Sequence, residues 1–302
     1  MDSSESYHKI SYKKHSEYLK RFGTMGKEKI LSETWFRQDT VDAWRHQRMY
    51  KSLDPILNED PNATWLTVGD GRYGTDSKYI SEKGGDVLAS DLSDLLLQHA
   101  KKMGFIKKYK KENAESLSFK DNEFDYILCK ESYHHFPRPM TALYEMLRVS
   151  KKGVILIEPN DNYIKSKALE AIFHNVKNTI KFILRKKKNK YTFEESGNFV
   201  YCISKREIEK TALGLNYKIV AFKGINDAYS PGVEYEKLSD NGPIQKKIKR
   251  LIKKANCLCK LGFKSHAILA AIIFKKIPSK KLIEKLTKNG YEVVYLPENP
   301  YS

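Results

Sequence analysis

Gly69-Asp70-Gly71-Arg72-Tyr73-Gly74, with Asp91 lying 22 residues beyond Gly69, sets three glycines and a carboxylate in the G-x-G-x-x-G order of a nucleotide-cofactor loop. Glycine lets the backbone turn sharply and lets a ligand approach it closely. A helix beginning near residue 76 would point its unpaired N–H groups and positive dipole end at that ligand. Asp91, at the end of a following strand, can accept hydrogen bonds from both hydroxyls of a ribose. The glycines and Asp91 do not by themselves say which nucleoside carries that ribose.

A second group, Glu131, His134 and His135, with Glu158 further on, offers acid–base chemistry. A histidine titrates near neutrality and suits removal of a proton from a hydroxyl or an ammonium group. The alternative is that the two histidines pack and hydrogen-bond behind a strand. No H-x-x-x-H or Cys/His cluster has ligand spacing, so no metal is expected. No G-x-S-x-G elbow is present for a serine hydrolase.

These residues need strands that end beside one another, and the chain supplies them. Trp65, Leu66 and Val68 favour a strand over 64–69. Further strands are expected at 86–90, 111–114, 124–129, 154–157, 217–222 and 267–274. Helix-sized segments at 76–83, 95–102 and 141–149 separate most of the first five, with a turn at 121–122 between the third and fourth, and another helix is read over 204–213. Alternation of this kind implies a parallel, doubly wound sheet, with ligands beyond the C-terminal strand ends. Before the first strand, Trp44, Met49, Leu53 and Ile56 recur at helical spacing, with Asp39 or Thr40 as cap. Trp35 and Trp44 read as core or lid residues more readily than as an aromatic cage. A short helix and strand, 282–288 and 291–295, form a tail.

Two amphipathic stretches, 163–190 and 243–261, are strongly basic. They admit three readings: a lid over the substrate, contact with an anionic membrane surface, or contact with nucleic acid, the last weakened by sparse aromatics. The 302 residues carry a net charge of +18 with lysines spread throughout, which reads first as a solvated basic surface. Cys129, Cys202, Cys257 and Cys259 form no disulfide framework. The polar N-terminus has no apolar run of a signal or anchor. A reduced, cytoplasmic protein is the expectation.

The run from Glu112 to Phe119 (ENAESLSF), then Asp121–Cys129 (DNEFDYILC), Glu131–Phe136 (ESYHHF), Leu143–Val149 (LYEMLRV) and Lys152–Pro159 (KGVILIEP) resembles the class I S-adenosylmethionine-dependent methyltransferases, particularly the small-molecule type. The likeness covers about residues 64–161. It implies S-adenosylmethionine as cofactor, with Gly69 and Gly71 under its methionine part and Asp91 on the ribose. Leu92 would pack on adenine, and Asn113 and the Ala114 amide would face its edge. Lys130 and Glu131 would follow the fourth strand, where sulfonium and acceptor meet. Two departures stand out. Thr67 occupies a position where the family often has a carboxylate, leaving Asp70 as a substitute partner for the cofactor's amino group. The third glycine is displaced to Gly74.

The expected architecture is a Rossmann-like, doubly wound α/β fold with a seven-strand, mostly parallel sheet. An N-terminal helical cap (1–60) precedes the cofactor-binding core (61–161). A helical insert or lid (162–215), the last strands with a basic helix (216–278) and a tail (279–302) follow. The expected reaction is methyl transfer to an oxygen or nitrogen of a small molecule, with a sugar or glycan precursor favoured by the resemblance. An NAD(P)-dependent reductase, or a non-catalytic cofactor-binding module on an anionic surface, stands as alternative.

Overall fold

The computed structural model describes residues 7–24, 26–161, 170–172, 175–176, 192–194 and 198–301. Its centre is one eight-stranded sheet. The strands are β1 (Thr64–Val68), β2 (Asp86–Asp91), β3 (Tyr109–Lys111), β4 (Phe124–Lys130), β5 (Ser150–Pro159), β6 (Ile219–Ile225), β7 (Ile268–Phe274) and β8 (Glu292–Tyr295). They lie in the order β3-β2-β1-β4-β5-β7-β6-β8. The first five pair in parallel, whereas β7 runs antiparallel between β5 and β6.

Burial dictates this arrangement. All seven residues of β7 are buried, so both its faces must be covered. Ile268, Ala270, Ile272 and Phe274 enter one apolar cluster and Leu269, Ala271 and Ile273 the other, as the two-residue period of a strand requires. The first face is covered by α3 (Val41–Tyr50), α4 (Asp54–Glu59), α5 (Thr75–Glu82) and the C-terminal helix α10 (Lys280–Lys288), through Met49, Ile56, Ile80 and Leu286. The second is covered by α7 (Pro139–Val149) and α8 (Lys205–Gly214), through Leu143, Met146 and Ile208.

The sheet has one strand more than the expected seven. The tail segment 292–295 pairs antiparallel with β6 and becomes the sheet edge, since Val293 and Val294 gain apolar neighbours on the two faces. The third strand is Tyr109–Lys111, not 111–114, because Glu112 and Asn113 already turn the chain toward the site. Thr40, rather than Asp39, caps α3, accepting from the Ala43 amide at 3.1 Å.

At the N-terminus, α1 (Tyr7–Gly23) lays Leu19 and Phe22 on Tyr73 and on α6 (Leu95–Lys102). The basic helix α9 (Pro243–Lys260) packs Ile248 and Ile252 against Val41 and Val233. The basic segment 163–190 lies outside the described residues except for 170–172 and 175–176, which are helical.

Candidate active site

Strand order reverses between β1 and β4, and the crevice beyond their C-terminal ends is where ligands bind in such sheets. A cavity of about 670 Å³ opens there. Gly69 leaves β1 at φ 77, a left-handed conformation. A Cβ on it would lie 2.4 Å from that of Ser132, whose hydroxyl donates to the Gly69 carbonyl at 2.6 Å. Gly71 lies equally close to Asp91, where a Cβ would fall 2.8 Å from a carboxylate oxygen. The loop is therefore pressed onto the ends of both neighbouring strands, and any side chain at these two positions would push it away.

The carboxylates at this end have distinct partners. Asp91 is buried and accepts from the Ser93 amide at 2.8 Å; burial pushes its pKa up, with His15 opposing. Asp70 faces the start of α5. It accepts from the Thr67 hydroxyl at 2.8 Å and from the amides of Asp76 and Ser77 at 3.1 and 2.9 Å. The substitute role expected of Asp70 thus meets a carboxylate already taken up in capping the helix, in partnership with Thr67. Burial and the neighbouring Asp76 push its pKa well up. Lys130, at the end of β4, sits 3.3 Å from Asp76 and 3.4 Å from Glu131, over the ring of Tyr50. Burial pulls its pKa down, but these carboxylates and Tyr50 outweigh it and the net shift is upward.

A smaller cavity of about 40 Å³ shares Gly69, Asp91, His135 and Phe136 with the larger one and is lined by Leu92, Asn113 and Ala114. Its roof is α1, through Ser11, Tyr12 and His15. Tyr12 donates to Glu115 at 2.6 Å, and Arg138 holds the same carboxylate. An N-terminal helical cap was expected, but helical spacing in 7–23 does not say which part of the molecule the helix covers.

On the other side of the crevice, β5 ends at Glu158, which is fully buried. One of its oxygens accepts from the amides of Ser132 and Tyr133, both at 2.9 Å. The other accepts from His134 Nδ1 at 2.6 Å, fixing the ring and leaving Nε2 as the nitrogen available to a ligand. Burial pulls the His134 pKa down, but the Glu158 charge and hydrogen bond outweigh it and raise the net value. His135 pairs with Glu194, and both line the cavity. The histidines therefore do not pack away behind β4.

Glu131 differs from its expected role as a base. It holds a left-handed φ of 50, costly for a residue with a Cβ, and contacts Lys130 and His46, the latter at 3.3 Å. Burial acts to raise its pKa, yet Lys130, His46 and Arg72 bring it down to about 2, which leaves little basicity at neutral pH. His46 is brought down to about 3 by burial, Lys130 and Arg72. Behind it runs a chain of charges that sequence reading missed. Arg72 bonds His46 and Asp42, each at 3.0 Å, Asp42 pairs with Arg45 at 2.9 Å, and Arg45 pairs with Asp227. Arg45 and Asp227 are 182 residues apart, so no local motif could reveal them.

The basic helix 243–261, for which a lid was one of three readings, contributes no residue to either cavity; its apolar side is spent on α3 and Val233. Among the described residues, no group of three or more His, Cys, Asp or Glu is placed to hold a metal ion. No helix among them is long and apolar enough to cross a membrane.

An antiparallel β7 inserted between β5 and β6 departs from the 3-2-1-4-5-6 order of dinucleotide-binding sheets. With the crevice as described, the segment that builds it carries a methyltransferase domain, of the class that uses S-adenosylmethionine. Residues 66–157 match the family described as "Methyltransferase domain". No curated protein matches the chain in sequence. Among solved structures, it is similar to an S-adenosylmethionine-dependent methyltransferase from Methanosarcina mazei, with 17% identity over 74% of this chain and 98% of that one and a TM-score of 0.45. It is also similar to the magnesium protoporphyrin IX methyltransferase of Synechocystis PCC 6803 with bound S-adenosylmethionine, with 12% identity, 90% and 100% coverage and a TM-score of 0.48.

Proposed function

We propose that the domain transfers a methyl group to a hydroxyl or amine of a small polar molecule, with a sugar or glycan precursor as the favoured acceptor. The observation that carries this reading is the Glu158–His134 pair, opening on the same cavity as the glycine loop. In this reading Asp91 receives the ribose hydroxyls. Leu92, Asn113 and Ala114 enclose the adenine, and Gly69 and Gly71 leave room for the methionine part. The fit is supported by a carboxylate at the end of β2 and by two glycines whose Cβ atoms would close the floor. Gly74 starts α5 in a left-handed turn, and Asp70 secures that start.

When bound, S-adenosylmethionine supplies an electrophilic methyl on a sulfonium that is already a good leaving group. The protein's work is then alignment and proton removal. His134, neutral at Nε2, accepts the acceptor's proton, and Glu158 stabilises the imidazolium that results. Glu131 stays ionised beside Lys130 and His46 and contributes negative charge next to the reacting centre. His135, turned to Glu194, orients the acceptor.

The test is a panel of polyols, sugars, amines and anionic metabolites incubated with S-adenosylmethionine, with S-adenosylhomocysteine release as readout. Turnover on a hydroxyl or amine acceptor is expected, lost in His134→Ala. Release only with acceptors methylated on carbon or sulfur, or undiminished release in His134→Ala, would overturn the assignment.

A further inference from the structure

We propose that the outer face of α9 docks the protein on an anionic lipid surface. The helix carries seven basic residues in eighteen and no acidic one, and all seven are exposed. Among the described residues none of the seven meets a carboxylate within 4.0 Å, although the basic side chains of the site are almost all paired. The inward side is used up: Gln245, Ile248, Ile252 and Cys259 are buried. At 100° per residue, the direction opposite to them is held by Arg250, Lys254 and Leu261, with Lys246, Lys247 and Lys253 on either flank. Leu251 and Leu261 are exposed at 41% and 55%, so apolar side chains accompany the charges. Lysine and arginine with leucine on an exposed helix face are the composition that binds the headgroup–acyl boundary of a bilayer.

Nucleic acid is disfavoured because that face presents no aromatic ring for bases to stack on. The helix is also firmly mounted. Glu236 caps its start, accepting from the Ile244 and Gln245 amides at 3.1 and 2.7 Å, and Lys247 donates to Ser230 at 3.2 Å. Docking therefore requires no rearrangement of the fold. This surface is separate from the cavity and does not depend on the methyl-transfer reading.

The test is co-sedimentation of the full chain with phosphatidylcholine vesicles, with and without one-third phosphatidylglycerol, at physiological salt. Binding to the anionic vesicles alone is expected. Replacing Lys246, Arg250, Lys253 and Lys254 by glutamine should weaken it by at least about 100-fold, since each basic residue near such a surface contributes about a factor of five. Replacing Lys101, Lys102, Lys107 and Lys120 instead should leave most of it. A thermal melt of each variant distinguishes lost binding from lost fold. As a second readout, a polarity-sensitive dye on Cys257, in a Cys202→Ser background, should shift to the blue with anionic vesicles. Equal binding to both vesicle types, equal loss in the two quadruple variants, an unmoved dye, or tighter binding to a single-stranded RNA than to the vesicles would each overturn the proposal.

Discussion

The two halves of the cavity are built on different principles. The half proposed for the cofactor is made of strand ends that are close in sequence: the loop after β1, Asp91 after β2, and Asn113 and Ala114 after β3. Its geometry comes from backbone approach, with glycines where a Cβ would collide with Ser132 or Asp91. The half proposed for the acceptor is made of side chains from distant segments, tied by Asp42, Arg45 and Asp227. One half is fixed by the fold of a parallel sheet. The other is fixed by paired charges, and changing those pairs can alter the acceptor while leaving the cofactor site in place.

The largest effect should come from the pair that joins the halves. His134→Ala is expected to lower turnover about 10²–10⁴-fold, the usual contribution of a positioned base, with cofactor affinity changed less than twofold by calorimetry. Glu158→Gln gives the pH signature. Glu158 raises the His134 pKa, so the neutral base, and with it the rate, appears as pH rises through that elevated value. Removing the Glu158 charge lets burial dominate, and the rise should move to lower pH. A profile that does not move would argue for a purely packing role.

A smaller effect is expected in the charge chain. Asp227→Ala leaves the buried Arg45 with Asp42 as its remaining partner and should cost about 3 kcal/mol in urea unfolding. The acceptor KM should rise while S-adenosylhomocysteine affinity holds. Smallest is Tyr12→Phe, which removes the hydroxyl's bond to Glu115 and its weaker, exposed one from Arg138, together worth about 1 kcal/mol. It should weaken cofactor binding up to about fivefold without changing the acceptor KM. A reversal of these two patterns would dissolve the distinction between the halves.

The same contrast explains what could be read from the chain. That Gly69, Gly71 and Asp91 meet at one crevice was legible because a tight turn and a strand end leave local signatures, and the resemblance directed attention to Asn113 and Ala114, which line the smaller cavity beside them. Strand alternation gave the layer order, and 291–295 read as a strand, but its pairing with β6 as the sheet edge is a tertiary choice that a local pattern does not show. Asp70 was read as a ligand for the cofactor because sequence shows its place in the loop but not the two amides of α5 that claim it. Sequence places Glu131 beside the two histidines but does not show Lys130, His46 and Arg72 converging on it from three elements and pulling its pKa down. The roof formed by α1 and the link between Arg45 and Asp227 depend on tertiary contacts across more than a hundred residues. No spacing rule reaches that far.

The most direct test of the division is calorimetry of S-adenosylhomocysteine on the wild type, Asp91→Ala and His134→Ala under one set of conditions. The wild type and His134→Ala should bind alike, and Asp91→Ala should lose about 100-fold or more, as expected when the ribose hydroxyls lose a charged partner. Equal affinity in Asp91→Ala, or comparable loss in both variants, would contradict the account.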